Sequence, residues 1–595
     1  MKHLKTIFSR VLRLRYSGAI ALTFIIAIQT IFITNIFFDQ KVSYHCDEIY
    51  SYGLANNYYQ PYLEGGDVYD SSYENINEWV SGELYHNYLT VQPDQRFRYD
   101  SVWYNQSLDR HPPLYYVCIH TICSFFPDSF SFVYGFVLNL VCFAVTQIFL
   151  YLLNKRLLRS QWAALLACCV WGCSIGNVNL TLFVRMYSML TMFVVMMLYF
   201  HVKLIAEDRS NKAKWKLLLP LYVVTLAGSM TQYLFLVAAF LIAVCFCLRY
   251  LIQRRWLDFL RYGCTMLGSV LTFFLIYPPA IRQMLAENGK EHTNFWFQLE
   301  SAMRSLLNNT IGMGFSDIVW WLHMLPLMLL LIAAFMLPIM YLFRQSAPIK
   351  KMVQRVKAIP TGIKKWQLRS FSMWLKRVDP MTIFMLLIVL AVMVLIADKI
   401  PFYFGYAVRY LYMVMPLMIT VMISCLYWLV KRFKAGKLLL TLFCLCPIVT
   451  NLCGMTLPPY MTYQNTLSMS TVLRGNNVVV LTYDRTNYDQ YSPYAYELCE
   501  TDHVFFTSLE DYDVYIDAIN TMPSDEELDV LIYYVDTKED ERGRYIIGDL
   551  LAGKNGERRK IYCEDILSRF QAQGQPEYVG EYHFVEGSFL IYRFS

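Results

Sequence analysis

Long apolar runs recur along the chain, separated by short charged stretches, and their length is the strongest constraint on its fold. The runs are roughly 17–25 residues long, the length an α-helix needs to cross a hydrocarbon core. No water reaches the middle of a bilayer, so a backbone there must satisfy its own N–H and C=O groups, and a helix does so within one segment. The 595-residue chain is 56% apolar and 16% charged, against about 25% charged in an ordinary soluble protein. The fold class that follows is a polytopic α-helical membrane protein.

The basic residues sort that architecture by side. Met1 to Ser17 carries Lys2, Lys5, Arg10, Arg13 and Arg15, and the apolar run 18–38 after it lacks a small-residue cleavage site. It reads as an uncleaved signal-anchor with the N-terminus inside. The run 113–126 is short for a span and suits an interfacial or re-entrant helix. If it does not cross, the span 131–153 delivers Lys155, Arg156 and Arg159 to the inside, and every later basic loop follows. Further spans are expected at 161–180, 187–203, 217–230, 232–251, 262–280, 318–343, 381–398, 409–430 and 438–457. That makes about eleven spans, with the basic loop 344–379 inside and the C-terminus outside. The net charge of +6 therefore reflects inner loops rather than a nucleic-acid-binding face.

The expected domains are a membrane domain, 1–457, and a small α/β domain, 458–595. The membrane domain includes a first outer loop, 39–112. In the second domain, strands are expected at 478–483, 503–507, 529–535, 578–584 and 588–594, with helices at 509–521 and 563–573. Most of the 16 cysteines fall in apolar runs, and none forms a zinc-type CxxC pair. Cys46, Cys499 and Cys563 lie outside the runs, and whether Cys499 and Cys563 pair is left open.

Chemistry is expected first in 44–59, where Asp47 and Glu48 follow directly on the first span, among Tyr44, Tyr50, Tyr52, Tyr58 and Tyr59. A carboxylate there is placed to take a proton from a hydroxyl arriving from the aqueous side; equally, charges simply mark the end of a span. The outer side holds few cations: Arg185, Arg282, Lys399 and Arg409, with His111 in the first loop. Cations against the inside bias need a partner, either a loop carboxylate or an anion such as a phosphate. There is no GxGxxG after a strand and no P-loop. Asp511-Tyr512-Asp513 has the Asp-x-Asp form that nucleotide-sugar transferases use for a metal, but it lies in the outer domain.

Four motifs recur in a familiar order: Asp47-Glu48-Ile49-Tyr50, Arg110-His111-Pro112-Pro113-Leu114-Tyr115-Tyr116, Arg185-Met186-Tyr187, and Arg409-Tyr410-Leu411 with Pro416. This set resembles the GT-C superfamily of integral-membrane glycosyltransferases over about 1–430. It is most similar to bacterial relatives of the protein mannosyltransferases and aminoarabinose–lipid A transferases (glycosyltransferase family 39). Gln232 departs from the pattern, where relatives often carry a His in a Thr-His-Tyr turn. The resemblance implies a GT-C fold and transfer from a polyprenyl-phosphate-linked sugar to an acceptor hydroxyl outside the membrane, with inversion. Asp47 would be the base and Glu48 would orient donor or acceptor. His111, Arg185, Tyr187, Arg282, Lys399 and Arg409 would hold the donor phosphate. No cofactor is expected, with a divalent metal left open. The partners implied are the lipid-linked donor, a lipid-anchored, glycan or protein acceptor, and membrane lipid, with no nucleic acid. The location implied is the cell (inner) membrane. The alternative is a transporter or binding protein for a lipid or lipid-linked glycan.

Overall fold

The structure, a computed structural model, describes residues 17–65, 74–206, 211–285, 295–312, 380–399, 405–431, 433–462, 468–482, 485, 491–523, 526–534, 565–570, 575–583 and 588–594. By contact the chain divides into two units. One comprises 1–35, 139–182 and 186–456; the other comprises 36–138, 183–185 and 457–595.

Among the described residues seven helices are long and apolar enough to cross a membrane: Ser17–Asp39, Phe132–Leu158, Tyr187–Ile205, Leu234–Ile252, Trp256–Ile276, Ala407–Val430 and Gly436–Cys453. A bent pair, Gln161–Gly172 and Ile175–Leu182, turns by 59° and makes an eighth if it is one span. The spans expected at 217–230 and 381–398 are shorter apolar helices, Lys216–Ser229 and Met381–Ala397. The span expected at 318–343 and the loop 344–379 lie outside the described residues. The chain is thus a multi-pass helical membrane protein with seven or eight candidate spans among the described residues, against about eleven expected.

Two spans differ from expectation for local reasons. The stretch 161–180 is not one straight helix. Ser174 accepts the Asn177 N–H at 3.2 Å and donates to the Trp171 carbonyl at 2.7 Å, so its hydroxyl closes one helix and caps the next. The expected span 262–280 begins earlier, at Trp256, and ends at Ile276, with Arg261 inside it. Tyr277 leaves the helix before Pro278, as a residue preceding proline is pushed to do. In the first unit the apolar helices are joined by polar contacts. Gln147 Nε2 donates to Gln29 Oε1 at 2.8 Å, and both amides donate to the Cys168 carbonyl at 3.1 Å. In lipid, where apolar surface drives no association, such bonds and close packing hold helices together.

The second unit contains a six-stranded mixed sheet in the order β1-β3-β2-β4-β6-β5. Its strands are β1 Trp79–Ser81, β2 Asn477–Thr482, β3 His503–Ser508, β4 Leu528–Tyr534, β5 Glu577–His583 and β6 Ser588–Phe594. Strands β3, β2 and β4 run parallel, and the remaining pairings are antiparallel. Every residue of β2 is buried, which is why Val478-Val479-Val480-Leu481 reads as a continuous apolar run rather than an alternation. The helix expected over 509–521 is confined to Ile516–Ile519, with turns before it. The helix expected over 563–573 is described only at 565–570, where residues 565–567 are helical, and Cys563 lies outside the described residues.

The edge strand β1 comes from the first loop, not from 458–595. Trp79 pairs with Phe505 in register, and their ring centroids lie 5.5 Å apart. Nearby the Leu63 N–H donates to Ser492 Oγ at 2.8 Å, and the Ser492 N–H donates to Glu64 Oε2 at 3.2 Å. Three residues are too few to show a period of two, so β1 left no strand signal in the sequence.

Candidate active site

The helix Cys46–Asn56 is started by a capping box. His45, in extended conformation, accepts the Asp47 N–H on Nδ1 at 3.0 Å, and Glu48 Oε2 accepts the His45 N–H at 3.1 Å. These reciprocal bonds satisfy two N–H groups that a helix start leaves over. The helix can lie close to its neighbours because of Gly53: a Cβ there would meet the Tyr88 ring at 1.9 Å.

Adjacent carboxylates then meet different fates. Glu48 is fully buried. Its Oε1 accepts from Lys41 Nζ at 2.5 Å and from the Val184 N–H at 2.9 Å. Lys41 is buried with it, its ammonium 4.7 Å from the Tyr44 ring centroid. Burial pushes the Lys41 ammonium below its ordinary pKa, against the pull of Glu48. Asp47 keeps 16% of its side chain exposed. Its Oδ1 lies 3.5 Å from Arg185 Nη2, and its Oδ2 lies 3.6 Å from His45 Nδ1. Arg185 Nη1 also donates to the Asp47 carbonyl at 3.2 Å and to Ser51 Oγ at 3.4 Å, and the guanidinium stands 5.9 Å from the Tyr116 ring centroid. The Val184 bond to Glu48 is therefore what brings Arg185, the next residue, to Asp47.

His111 belongs to the same unit. Its Nδ1 lies 2.9 Å from Asp109 Oδ2, while Asp109 Oδ1 accepts from the Tyr62 hydroxyl at 2.9 Å. Burial would raise the Asp109 carboxyl, but the charges of His111 and Arg185 and the hydrogen bond from His111 outweigh it and hold it below its ordinary value. An ionised Asp109 only accepts, so the His111 proton sits on Nδ1.

The structure thus gathers Asp47, Glu48, His111 and Arg185 in one unit. The other expected residues lie elsewhere in the chain. Tyr187 and Arg409 share the first unit, where the Tyr187 and Tyr410 rings are 5.8 Å apart and Arg409 stands 5.2 Å from the Tyr410 ring centroid. Arg282 is exposed on the short helix Pro279–Leu285. Lys399 ends the helix Pro380–Lys399, and its side chain lies outside the described residues. Gln232 accepts the Leu234 N–H at 3.3 Å beside the start of Leu234–Ile252. Asp511 and Asp513 are held by Arg485 and Arg569 at 2.6 and 2.5 Å.

Sequence reasoning missed Lys41, Ser51 and Asp109. A His-x-x-Glu spacing at the start of an apolar run signals the capping box, and with it a buried Glu48. Nothing local signals that Lys41 comes back to meet it.

His45, Cys46 and Asp47 offer ligand atoms within 4.8 Å of one another. They do not fit a resident divalent cation. His45 Nδ1 already accepts the Asp47 N–H, and the Arg185 guanidinium stands 3.5 Å from the carboxylate a metal would need.

Residues 110–282 match the family model for dolichyl-phosphate-mannose-protein mannosyltransferase. Among solved structures, the S. cerevisiae protein O-mannosyltransferase Pmt1-Pmt2 complex bound to the sugar donor aligns at 14% identity and a TM-score of 0.31. That alignment covers 45% of this chain and 34% of that one, so the chain spans about a third of its length. ArnT from Cupriavidus metallidurans in the apo state aligns at 10% identity over 92% of this chain and 96% of that one, with a TM-score of 0.41. The archaeal oligosaccharyltransferase AglB from Archaeoglobus fulgidus, in complex with an inhibitory peptide and a dolichol-phosphate, aligns at 9% identity over 87% and 70%, with a TM-score of 0.44. No curated protein matches the chain. Residues 110–282, the stretch that carries His111 and Arg185, are thus similar to the dolichyl-phosphate-mannose-protein mannosyltransferase family.

Proposed function

We propose that the chain moves a sugar from a polyprenyl-phosphate-linked donor to an acceptor hydroxyl on the extracytoplasmic side, with inversion, and that Asp47 is the general base. The observation that carries this reading is the contrast between neighbours. Glu48 is buried and committed to Lys41, Val184 and His45, whereas Asp47 stays partly exposed beside Arg185. A base must reach its proton, and only Asp47 of the two is placed to do so. The family description itself names a sugar carried on a polyprenyl phosphate.

In the step proposed, the acceptor oxygen attacks the anomeric carbon as the bond from that carbon to the phosphate oxygen breaks. The hydroxyl proton passes to Asp47, and the bonding pair leaves on the phosphate. Charge therefore grows on the phosphate, where fixed cations lower the barrier. Arg185 is proposed to aim Asp47 and to counter that charge, and His111, oriented by Asp109, to contact the phosphate. Glu48 is proposed to position both Asp47 and Arg185. Tyr187, Arg282, Lys399 and Arg409 are proposed as phosphate contacts on their sequence positions alone.

About eleven spans, a cytoplasmic N-terminus, an extracytoplasmic C-terminus and the cell membrane as location complete the proposal. So do a GT-C architecture, a membrane domain over 1–457 and an extracytoplasmic α/β domain over 458–595. The acceptor is a lipid-anchored, glycan or protein hydroxyl.

The test is Asp47→Asn, which keeps shape but accepts no proton. Transfer should fall by about 10²–10⁴-fold, the usual contribution of general-base catalysis, with donor binding retained. Undiminished transfer in Asp47→Asn and in the double variant with Glu48→Gln would remove the enzyme role of this loop and leave a lipid-linked-glycan binder or transporter.

A further inference from the structure

We propose that Tyr58, Tyr59, Phe97, Tyr104, Phe125 and Phe126 form a lipid–water interface contact that lays the helix Cys46–Asn56 on the bilayer surface. The proposal rests on the membrane reading of the chain and deepens the proposed function by saying what fixes the depth of the base.

These six rings are exposed, as are Phe38, Tyr99 and Tyr578 in the same unit. Phe125 is 62% exposed, Phe126 49% and Phe97 38%. Water-facing phenylalanines grouped together mark an interaction surface rather than a core. Five of the rings touch in two groups, Tyr58–Tyr59–Tyr104 at 4.8 and 5.3 Å and Phe97–Phe125 at 5.3 Å, and Phe126 stacks on Tyr134 at 5.0 Å. The segment 96–98 joins the groups. Arg96 stands 5.4 Å from the Phe97 ring centroid, and Arg98 stands 5.2 Å from that of Tyr58.

Their presentation is fixed by the backbone. Tyr59 and Phe97 have φ of 51° and 59°, a left-handed conformation costly for a bulky residue. Both are held there by hydrogen bonds. The Tyr59 N–H donates to Ser101 Oγ at 2.8 Å, and the Phe97 N–H donates to Ser124 Oγ at 3.0 Å. Arg96 Nε adds a bond to the Ser124 carbonyl at 2.7 Å. Strain kept up by its surroundings collects where a surface has work to do.

Two observations choose lipid as the occupant. The first is continuity with the membrane: Phe126 shortly precedes the membrane-length helix Phe132–Leu158, and the helix that leads to Tyr58 shortly follows Ser17–Asp39. The second is chemistry. Three of the six rings carry no hydroxyl, and the Tyr59 hydroxyl is already given to Asp100 at 2.5 Å. Asp100 in turn neutralises Arg98 through two bonds of 3.0 and 2.8 Å. Arg96 remains beside the phenylalanines as an exposed cation for headgroup phosphates. Tyrosine and arginine around an apolar tip suit the headgroup boundary; a saccharide platform would offer hydroxyls and amides around its rings.

The link to the base is mechanical. Ser101 Oγ also donates to the Asn57 carbonyl at 3.2 Å, and Asn105 Nδ2 donates to the Asn57 and Leu54 carbonyls at 2.8 and 3.3 Å. The aromatic surface and the C-terminal end of the helix that bears Asp47 therefore move as one piece.

The experiment uses the full chain in vesicles of phosphatidylethanolamine and phosphatidylglycerol, with benzoylphenylalanine in place of Phe126 or Tyr104. The same group in place of Leu275, 79% exposed on a membrane-length helix, is the positive control. Illumination should give phospholipid adducts at all three positions. In a Phe97→Ser, Phe125→Ser variant the adduct at 104 should fall several-fold while that at 275 holds. Lipid adducts at 275 with none at 126 and 104 would overturn the proposal. So would adducts at 104 to an added soluble maltooligosaccharide in place of lipid, which would make the surface an acceptor platform. The readout needs no turnover, so its outcome is separate from that of the Asp47 test.

Discussion

Glu48 shows how one buried residue can fix the surroundings of its neighbour. Its carboxylate is surrounded by the Lys41 ammonium and the His45 and Val184 amides, and through Val184 it sets the neighbour that meets Asp47. A buried ion pair adds little net stability, but breaking one side of it costs about 3–5 kcal/mol because a charge is stranded. Lys41→Met should therefore lower the thermal unfolding temperature strongly, and Lys41→Met with Glu48→Gln should recover most of the loss. A double variant no more stable than the single one would mean that the pair is not the source of the effect. Arg185→Ala should leave folding largely intact and lower kcat, since it removes the cation that faces Asp47. Unchanged kcat would make Arg185 structural. At this scale the sequence was informative about residue type and position: Asp47, His111 and Arg185 were each singled out, and they occupy one unit. That Asp47 is accessible and Glu48 is not depended on Lys41 and Val184, which no local pattern connects to either.

At the scale of elements, glycine and burial decide the outcomes. Alanine is normally favoured over glycine in a helix by about 1 kcal/mol. At Gly53 a Cβ would lie 1.9 Å from Tyr88, so Gly53→Ala should instead destabilise by about 1–3 kcal/mol through overpacking, read by thermal unfolding. The short helix Ala495–Leu498 offers a pH test. Burial pushes the Glu497 carboxyl up to about 7, with the Tyr582 hydroxyl, 3.1 Å away, pulling the other way. A raised carboxyl favours the protonated form in the folded state, so its contribution is present at acid pH and lost as pH rises through about 7. Glu497→Gln should thus raise the unfolding temperature above neutral pH and have little effect in the ordinary carboxylate range. The same gain at both ends would show that Glu497 does not titrate in this way. Spans and strands were legible because their periods are local: all five expected strands match within a residue at each end, and most of the described spans match within a residue or two. The break at Ser174 and the turns before Ile516 were not, since a hydroxyl or a turn overrides an apolar average.

For the whole molecule, the loop 39–112 and the residues after 457 are one construction. β1 pairs with β3, and Ser492 binds both Leu63 and Glu64. The Ser492 hydroxyl also donates to Glu64 Oε2, so Ser492→Ala should cost about 1–3 kcal/mol by withdrawing that donor from the buried carboxylate. It should also speed proteolysis within 39–112, where a merely local role would leave cleavage unchanged. Side-specific labelling tests the proposed orientation: reagents from outside should reach 458–595, and a reagent that reaches 344–379 from that side would reverse it. Apolar run length and the placement of lysine and arginine determined, from sequence alone, that this chain is a multi-pass helical protein with an α/β region after its last span. Both are short-range properties that each segment carries by itself. Only the tertiary structure decided that Trp79–Ser81 edges the sheet, that Lys41 neutralises Glu48 and that Arg185 stands against Asp47. Those depend on which distant segments meet, and a meeting between segments leaves no period in the sequence of either.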